Sequence, residues 1–222
     1  MYKLIKRILD ITIALLALII LSPLFIIVII LLKLTGEGEV FYMQKRIGLN
    51  DKEFQIYKFA TMLKNSLSMG SGSITVRNDP RVTKVGKFLR MTKINELPQI
   101  LNILKGDMSV VGPRPLVTKT FNAYPEDIRY QVYKVKPGLT GLGSIYFRDE
   151  EEMISQAKED PHQFYERVVA PYKGALEIYY QKHKSTLTDL KLIFLTAWYI
   201  LFPKSGLLYK LFKNLPVNPN KK

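Results

Sequence analysis

The 222-residue chain contains no cysteine, only two histidines, and few acidic residues beside its many basic ones. Without cysteine it can form no disulfide, no thiolate metal site and no thiol nucleophile. His162 and His183 stand apart without metal-ligand spacing, so they are interpreted as ordinary surface residues. The 33 Lys and Arg residues outnumber the 19 Asp and Glu residues, giving a formal net charge of +14. This excess suits phosphate-rich partners, namely nucleic acid, anionic lipid or nucleotide-linked substrates, or it is simply a basic surface.

Apolar residues are concentrated in one block, 11–32, which is long enough to cross a bilayer as a helix. Ser22-Pro23 lies in the middle of this block, and a proline there predicts a bend because it removes a helical hydrogen bond. The Ser22 hydroxyl can satisfy a freed carbonyl. Basic residues flank the block on both sides, which favours a cytoplasmic location for both ends. A re-entrant helical hairpin satisfies both facts; a kinked crossing helix is the alternative.

The next part of the chain predicts a small hairpin, a loop and a basic helix. The runs 40–44 and 53–59 are rich in aromatic and β-branched residues around a turn, which indicates a β-hairpin. Residues 64–80 are rich in Ser and Gly and lack a phosphate-loop or dinucleotide signature, so they predict a mobile loop. Residues 81–93 then carry cations at a spacing of three, near one face of a helix: Arg81, Lys84, Lys87, Arg90 and Lys93.

The stretch 93–115 carries the strongest functional signal. Asn95 and Glu96 place an amide beside a carboxylate where the basic strip ends, and a helical apolar stripe follows until Gly106. Arg114 is then held between Pro113 and Pro115. Because proline fixes the backbone and a guanidinium matches two phosphate oxygens, this arginine is predicted to be a phosphate clamp.

Eight segments, in order along nearly the whole chain, resemble one known family. They are similar to the bacterial sugar transferases, that is, the monotopic polyprenyl-phosphate phosphoglycosyl transferases. The stretch from 94 to 116 is the most specific of them. The segments are KRILD, LSP, QKRIG, KFATM, NDPRVTKVGKFLR, INELPQILNILKGDMSVVGPRPL, VKPGLTGLGS and TLTDLKLIFLT.

The resemblance implies a reaction and its partners. Sugar 1-phosphate passes from a nucleotide diphosphate sugar, usually a UDP-sugar, to a membrane polyprenyl phosphate, and UMP is released. This is the first membrane step of a bacterial surface glycan pathway, such as that of a lipopolysaccharide or capsule. The expected partners are the two substrates and membrane lipids, with no nucleic acid, and a homodimer is left open. The expected location is the cytoplasmic face of the bacterial inner membrane, with a re-entrant anchor.

The resemblance also implies site residues. It implies a Mg²⁺ ion and a covalent phosphosugar intermediate on the aspartate of an Asp-Glu pair. Carried onto this chain, Asn95 and Glu96 are the catalytic pair and Glu96 is also the metal ligand. The substrate-binding residues are expected to be cationic: Lys58, Arg81, Arg90 and Arg114.

The pair in this chain departs from the family, since Asn95 stands where an aspartate is usual. An amide is nearly isosteric with aspartate but carries no charge and is a poor nucleophile. Three interpretations stay open. In a natural variant, Glu96 or another carboxylate attacks; alternatively, the asparagine was introduced to inactivate the enzyme; or the chain is a family member without transferase activity.

Other positions also depart from the family pattern. Ala60 stands where an arginine is usual, and Glu177 stands where an aspartate is usual. The run after Arg148 begins with Asp149 and three glutamates, which can supply a replacement carboxylate or metal ligands, or can simply be a solvated acidic helix start. Together with Asp107, the residues Asp149 and Glu177 are therefore candidate accessory carboxylates.

The whole sequence predicts a mainly helical α+β fold with a re-entrant membrane hairpin, a small β-hairpin and amphipathic interfacial helices. The predicted divisions are an anchor at 1–35, a catalytic domain at 36–205, and an amphipathic helix and tail at 206–222. Helices over 151–184 are expected to break at Pro161 and Pro171. The helix after Gly206 is predicted to lie at the membrane interface, or alternatively to face the core.

Three functions compete at this point. The central stretch favours the phosphoglycosyl transferase. A non-catalytic membrane scaffold that keeps the fold and binds nucleotide sugar or lipid is the alternative. A membrane-tethered nucleic-acid binder rests on net charge alone, since no binding motif is recognisable.

Overall fold

A computed structural model describes residues 1–35, 37–69 and 78–218, so Gly36 and the part of the predicted Ser/Gly-rich loop at 70–77 lie outside the described residues. The described chain is mainly helical, with two small sheets, which confirms the predicted α+β class. The helices are α1 Tyr2–Leu34, α2 Lys84–Met91, α3 Gln99–Lys105, α4 Thr118–Asn122, α5 Glu126–Val132, α6 Leu142–Tyr146, α7 Glu150–Gln156, α8 Pro161–Phe164, α9 Ala170–His183, α10 Thr186–Leu201 and α11 Leu207–Leu211. The strands are β1 Phe41–Ile47, β2 Glu53–Phe59, β3 Ser109–Val111 and β4 Gly138–Thr140.

The predicted β-hairpin is confirmed. Strands β1 and β2 pair antiparallel, from Phe41 opposite Phe59 to Ile47 opposite Glu53. The turn between them contains Asn50 at φ 53°, a left-handed conformation that asparagine tolerates because its side chain can bond locally.

Strands β3 and β4 form a second, parallel pair that supports the Arg114 loop. Val111 lies opposite Thr140, and the Gly112 N–H continues the ladder to the Thr140 carbonyl at 2.9 Å. A Cβ atom on Gly138 would lie 2.1 Å from the Gly112 nitrogen, so only glycine permits this close approach.

The amino-terminal half of α1 is fixed to the domain by polar contacts. Arg7 donates to the last carbonyls of α3 at 2.6 and 2.8 Å. The buried carboxylate of Asp10 accepts from the Ser109 hydroxyl and the Val110 N–H, both at 2.9 Å. Both contacts use residues of the KRILD segment, so this motif attaches the helix to α3 and β3.

The carboxy-terminal half of α1 packs on the same domain through apolar side chains. Phe25, Val28 and Leu32 are buried against Phe59 of the hairpin and Leu89 of α2. Among the described residues, α1 is the one helix that is long and apolar enough to cross a membrane. Each of its halves is nevertheless attached to the rest of the protein.

Both α1 and α10 leave apolar surface uncovered. The Ser22 hydroxyl donates to the Ile19 carbonyl at 2.8 Å, the compensation expected beside Pro23. The exposed apolar residues of the two helices are Leu4, Ile5, Ile8, Leu15, Leu16, Ile19, Ile20, Ile26, Ile27, Ile30, Leu31, Leu34, Leu187, Leu190, Phe194, Ile200 and Leu201. Patches of this size mark a surface that contacts membrane or protein.

Two local predictions need correction. The helix does not break at Pro171. Because proline lacks the N–H that an α-helical ladder needs, the chain instead forms a π-helical turn, Tyr165–Val169, that leads directly into α9. In the carboxy-terminal segment, Leu208 and Phe212 are buried in the main core. The core-facing alternative therefore holds for α11. The division of the chain at residues 35 and 205 stays a prediction.

Candidate active site

One cavity of about 510 Å³ lies between the β-hairpin, the end of α1, the turn after α2, the Arg114 loop and α7. Leu32 of α1 and Thr35, the residue directly after this helix, line the cavity together with Glu96 and Arg114. The apolar helix and the stretch with the strongest sequence signal therefore meet at a single site.

A carboxylate held by two cations forms the centre of the cavity. Arg114 Nη2 lies 2.6 Å from Glu96 Oε1 and Nη1 lies 3.3 Å from Oε2, while Lys58 Nζ lies 3.4 Å from Oε1. Burial raises the pKa of Glu96, but the charges of Arg114 and Lys58 outweigh it and hold that pKa well below its usual value. Burial lowers the pKa of Lys58 to about 7, although Glu96 acts in the opposite direction. The carboxylate is therefore ionised at neutral pH, whereas Lys58 is close to its titration point.

The backbone of Arg114 is fixed by a tyrosine that the sequence did not single out as functional. Tyr133, on the segment after α5, is almost fully buried. Its hydroxyl donates to the Arg114 carbonyl at 2.8 Å and accepts from the Leu116 N–H at 2.9 Å. The loop is thus held both by its prolines and by this bridge, so the guanidinium has a preset position.

Arg46 and Lys93 also line the cavity, and sequence reasoning did not name them as site residues. Arg46, in the QKRIG segment of β1, donates to the Pro115 carbonyl at 3.2 Å and to Gln44 Oε1 at 2.6 Å. Burial and the charge of Arg114 lower the pKa of Arg46 to about 10, so Arg46 stays cationic at neutral pH. Lys93 has φ 60°, a left-handed conformation that costs about 1 kcal/mol and turns the chain from α2 into the segment with Glu96.

The donor set allows a magnesium ion without requiring one. Asn95 lines the cavity, is 6% exposed, and its buried Oδ1 has no hydrogen-bond partner among the described residues. An amide oxygen beside the Glu96 carboxylate is the kind of ligand Mg²⁺ accepts, with substrate phosphates and water completing the shell. The described residues contain no group of three or more acidic or histidine side chains that would bind a metal alone.

Part of the acidic run after Arg148 forms a wall of the cavity. Glu150 and Glu151 of α7 both line it, whereas Asp149 precedes the helix and is not among the lining residues. Arg90, a predicted substrate-binding residue, also lines the cavity and contacts Glu151 at 2.8 Å. Glu150 is paired with the buried Lys173 of α9. This wall is therefore not merely a solvated helix start.

Arg81 is placed apart from the other predicted substrate-binding residues. Its side chain is buried and bonded to both carboxylate oxygens of Asp79 at 2.9 and 2.6 Å. It also donates to the carbonyls of Ser66 and Met69. Arg81 is not among the cavity-lining residues, and these contacts show it stabilising the segment before α2.

The other candidate carboxylates also lie off the cavity lining. Asp107 lies 3.5 Å from both Lys105 Nζ and Asn102 Nδ2 beside the end of α3. Glu177 is 1% exposed, and neither of its oxygens has a hydrogen-bond partner among the described residues. A Cβ on Gly143 would lie 2.4 Å from Glu177 Oε1, so α6 rests directly on this side chain. Burial raises the pKa of Glu177 to about 8.

These features define a protein with a long, partly uncovered apolar helix and a cation-rich cavity of about 510 Å³ beside one end of it. Comparison of the sequence with family models gives a match to the bacterial sugar transferases over residues 1–203. The chain therefore belongs to the bacterial sugar transferase family, as the sequence motifs predict.

Characterised relatives include proteins of different length. The chain is 36% identical over 205 residues to the exopolysaccharide production protein ExoY of Sinorhizobium fredii, covering 86% of this chain and 83% of that protein. It is 34% identical to the UDP-N-acetylgalactosamine-undecaprenyl-phosphate N-acetylgalactosaminephosphotransferase of Aeromonas hydrophila, over 90% of this chain and 44% of that protein. It is also 34% identical to the UDP-glucose:undecaprenyl-phosphate glucose-1-phosphate transferase of Escherichia coli, over 88% and 40%. The chain thus spans less than half of these two transferases.

Proposed function

We propose that this chain transfers sugar 1-phosphate from a UDP-sugar to a membrane polyprenyl phosphate, with release of UMP. One observation carries the proposal: Glu96, Arg114 and Lys58 form a charged centre in a cavity that Leu32 of the apolar helix α1 also lines. A water-soluble anionic donor and a lipid-linked phosphate can meet only where a polar cavity lies beside an apolar, membrane-facing element. The relatives named for the same chemistry, including undecaprenyl phosphate as acceptor, support it.

The cations supply the affinity for phosphate. Arg114 presents a fork whose two nitrogens already bind one carboxylate at its two oxygens, and a phosphate offers the same geometry. Arg46 and Lys58 add positive charge from the hairpin side of the cavity. Phosphoryl transfer depends chiefly on positioning and on neutralising charge, which is what this arrangement provides.

We propose Glu96 as the attacking carboxylate, since Asn95 is no nucleophile. When the donor diphosphate takes over the Arg114 fork, the carboxylate of Glu96 is released and remains ionised. A Glu96 oxygen attacks the phosphorus that bears the sugar, and the bond from that phosphorus to UMP breaks with the electron pair leaving on UMP. A polyprenyl phosphate oxygen then attacks the same phosphorus and the bond to Glu96 breaks. No proton transfer is needed in either step.

A magnesium ion bound at this site would help to neutralise the negative charge of the donor diphosphate. Asn95 Oδ1 and one oxygen of Glu96 would hold it together with substrate phosphates. It would supply positive charge to the diphosphate during departure of UMP. The second oxygen of Glu96 remains for attack.

We further propose that α1 enters and leaves the same, cytoplasmic, face of the bacterial inner membrane. A straight helix of 33 residues is about 50 Å long, whereas the hydrocarbon core is about 30 Å thick. A single crossing would carry one attached half of α1, and the domain bound to it, through that core. The cations Lys6, Arg7 and Lys33 near the two ends favour the cytoplasmic side for both.

The topology has a direct test, because the chain has no native cysteine. Lys3→Cys and Glu39→Cys place single thiols in exposed positions near the two ends of α1. A membrane-impermeant maleimide added to intact cells should label neither, and it should label both in inverted membrane vesicles. Labelling of one of them in intact cells would establish a crossing helix.

The activity is tested with the full chain in nanodiscs that contain undecaprenyl phosphate. A panel of UDP-sugars with Mg²⁺ should give UMP with at least one donor, and omission of undecaprenyl phosphate should limit release to about one equivalent of enzyme. Binding of the donors without any UMP release would favour the scaffold function. Release by Asn95→Asp alone would show that the asparagine makes the chain inactive.

The attacking residue can be identified by peptide mass. Trypsin releases residues 94–105 as one peptide, in which Glu96 is the single acidic side chain. Incubation with a UDP-sugar but no lipid acceptor should add a sugar phosphate to this peptide. An adduct on another peptide would remove Glu96 from the role of nucleophile.

A further inference from the structure

The wall of the cavity that α7 and α9 contribute contains a partly buried ion pair that the proposed chemistry does not use. Lys173, on α9, is 2% exposed and binds Glu150 Oε2. Its Nζ also lies 5.9 Å from the ring centre of Phe147 and 5.8 Å from that of Tyr165. Taking such a pair out of water costs free energy, and here the pair holds a carboxylate at the cavity surface.

An unpartnered hydroxyl lies beside this carboxylate. Tyr165 lines the cavity and is 2% exposed, yet its hydroxyl has no hydrogen-bond partner among the described residues. Burial and the charge of Glu150 raise the pKa of Tyr165 well above its usual value, so the hydroxyl keeps its proton. The side chain of Tyr124 is close enough to lower this pKa in the way a hydrogen bond does, but it does not meet the geometry of a hydrogen bond to Tyr165. A buried hydroxyl without a partner costs free energy that a ligand can recover.

The chemistry of this wall selects against a phosphate and in favour of hydroxyl groups. Glu150 and Glu151 both line the cavity, and each is paired with a cation, Lys173 or Arg90, so these four residues offer no net positive charge to a phosphate. The free Glu150 oxygen accepts hydrogen bonds, and the Tyr165 hydroxyl can donate or accept one. Both carboxylates raise the pKa of Arg114, as Glu96 does more strongly, so the wall is within electrostatic reach of the proposed phosphate clamp.

We propose that Glu150 and Tyr165 form a subsite that binds the hydroxyl groups of the donor sugar, with Lys173 as the residue that positions Glu150. This inference rests on the proposed function and adds the residues that recognise the sugar. The donor would lie with its diphosphate on Arg114 and its sugar against α7 and the start of α9. Arg90, bonded to Glu151, would fix the outer edge of the wall.

The contribution of the sugar can be isolated by comparing donors of equal charge. The β-methyl ester of UDP carries the same charge as a UDP-sugar but lacks the sugar, so the ratio of their dissociation constants measures sugar recognition. The wild-type protein should bind its preferred donor, from a panel of UDP-hexoses and UDP-N-acetylhexosamines, at least tenfold more tightly than the ester. Titration calorimetry on the full chain in nanodiscs gives both constants.

Three variants test the residues. Glu150→Gln should lower the ratio about tenfold, because a hydrogen bond to a charged group is lost, and Tyr165→Phe should lower it about threefold. Because Glu150→Gln leaves Lys173 buried without its partner, the double variant Glu150→Gln with Lys173→Met serves as a neutral pair of similar volume and should lose the same tenfold. Binding of the methyl ester should not weaken in any of them.

One control variant and several contrary results complete the test of the sugar subsite. Glu152→Gln removes one charge from the same helix at a position outside the cavity lining and should leave the ratio unchanged. Ratios unaltered in Tyr165→Phe and in the double variant would overturn the subsite, as would a wild-type ratio near one or a sugar phosphate on the tryptic peptide 149–158. Absence of UMP release together with the expected ratios would instead refute the proposed reaction and leave the sugar subsite standing.

Discussion

Replacing Arg114 by lysine keeps the positive charge in the cavity but removes the fork that defines the proposed phosphate clamp. In the structure, Nη2 and Nη1 contact the two oxygens of Glu96 at 2.6 and 3.3 Å. Lysine donates from one nitrogen and cannot bridge two oxygens. One charged hydrogen bond, about 1.5–2 kcal/mol, should therefore be lost from the complex with UDP, which corresponds to an increase of Kd by about ten- to thirtyfold.

Titration calorimetry with UDP at pH 7 and constant ionic strength measures this change. Arg167→Lys is the matched control, because Arg167 is paired with Glu159 on the surface and is not a cavity residue. It should bind UDP as the wild type does. Equal affinity of Arg114→Lys and wild type for UDP would refute the role of the guanidinium fork, whatever the activity of the variant.

Three further predictions follow from the burial of single groups. Because the pKa of Lys58 is lowered to about 7, UDP affinity should fall as the pH rises from 6 to 8, and Lys58→Arg should remove most of that dependence. Tyr133→Phe leaves the Arg114 carbonyl and the Leu116 N–H without a partner, so thermal unfolding should show a loss of about 1–2 kcal/mol and UDP binding should weaken. The pKa of Glu177 is raised to about 8, so the folded protein binds more protons than the unfolded one between about pH 5 and 7. Stability should fall by about 2 kcal/mol over that range, and Glu177→Gln should be less pH-dependent in denaturant titrations. A stability of wild type that rises from pH 5 to 7 would contradict the assignment.

The sequence was sufficient for those parts of the site that depend on local pattern. The hairpin follows from alternating aromatic residues around a turn, and the end of α3 at Gly106 follows from a left-handed cap with φ 97°. The clamp arginine follows from its two flanking prolines. Each of these features is determined by residues close together in the chain, so composition and spacing are enough.

The remaining parts depend on contacts between distant residues. Tyr133 looked like ordinary core, and it is core, but its hydroxyl reaches a loop 17–19 residues away in sequence. Nothing near Lys173 in the sequence indicates that its ammonium group reaches a carboxylate on another helix. Arg81 had the same helical spacing as Arg90, yet it precedes α2 and pairs with Asp79, since a spacing of three has meaning only inside a helix. Such residues can be assigned only once the packing is known.

Asn95 stands where the family usually has an aspartate, and its surroundings limit what the chemistry can be. Asn95 is buried in the short helical turn Ile94–Glu96, and its Oδ1 has no hydrogen-bond partner among the described residues. The chemistry must therefore pass to Glu96 or to another carboxylate, or not occur. Both outcomes are compatible with an intact fold, because neither needs a change in packing.

The most direct test of the central claim is a single-turnover measurement of UMP release by wild type and Glu96→Gln, in nanodiscs with undecaprenyl phosphate and a saturating UDP-sugar. UDP binding by each protein is measured in the same preparation. Glu96→Gln should still bind UDP, and its rate of UMP release should be at least a thousandfold lower, which is about 4 kcal/mol of transition-state stabilisation. Equal rates of UMP release from the two proteins would contradict the role of Glu96 as the attacking carboxylate.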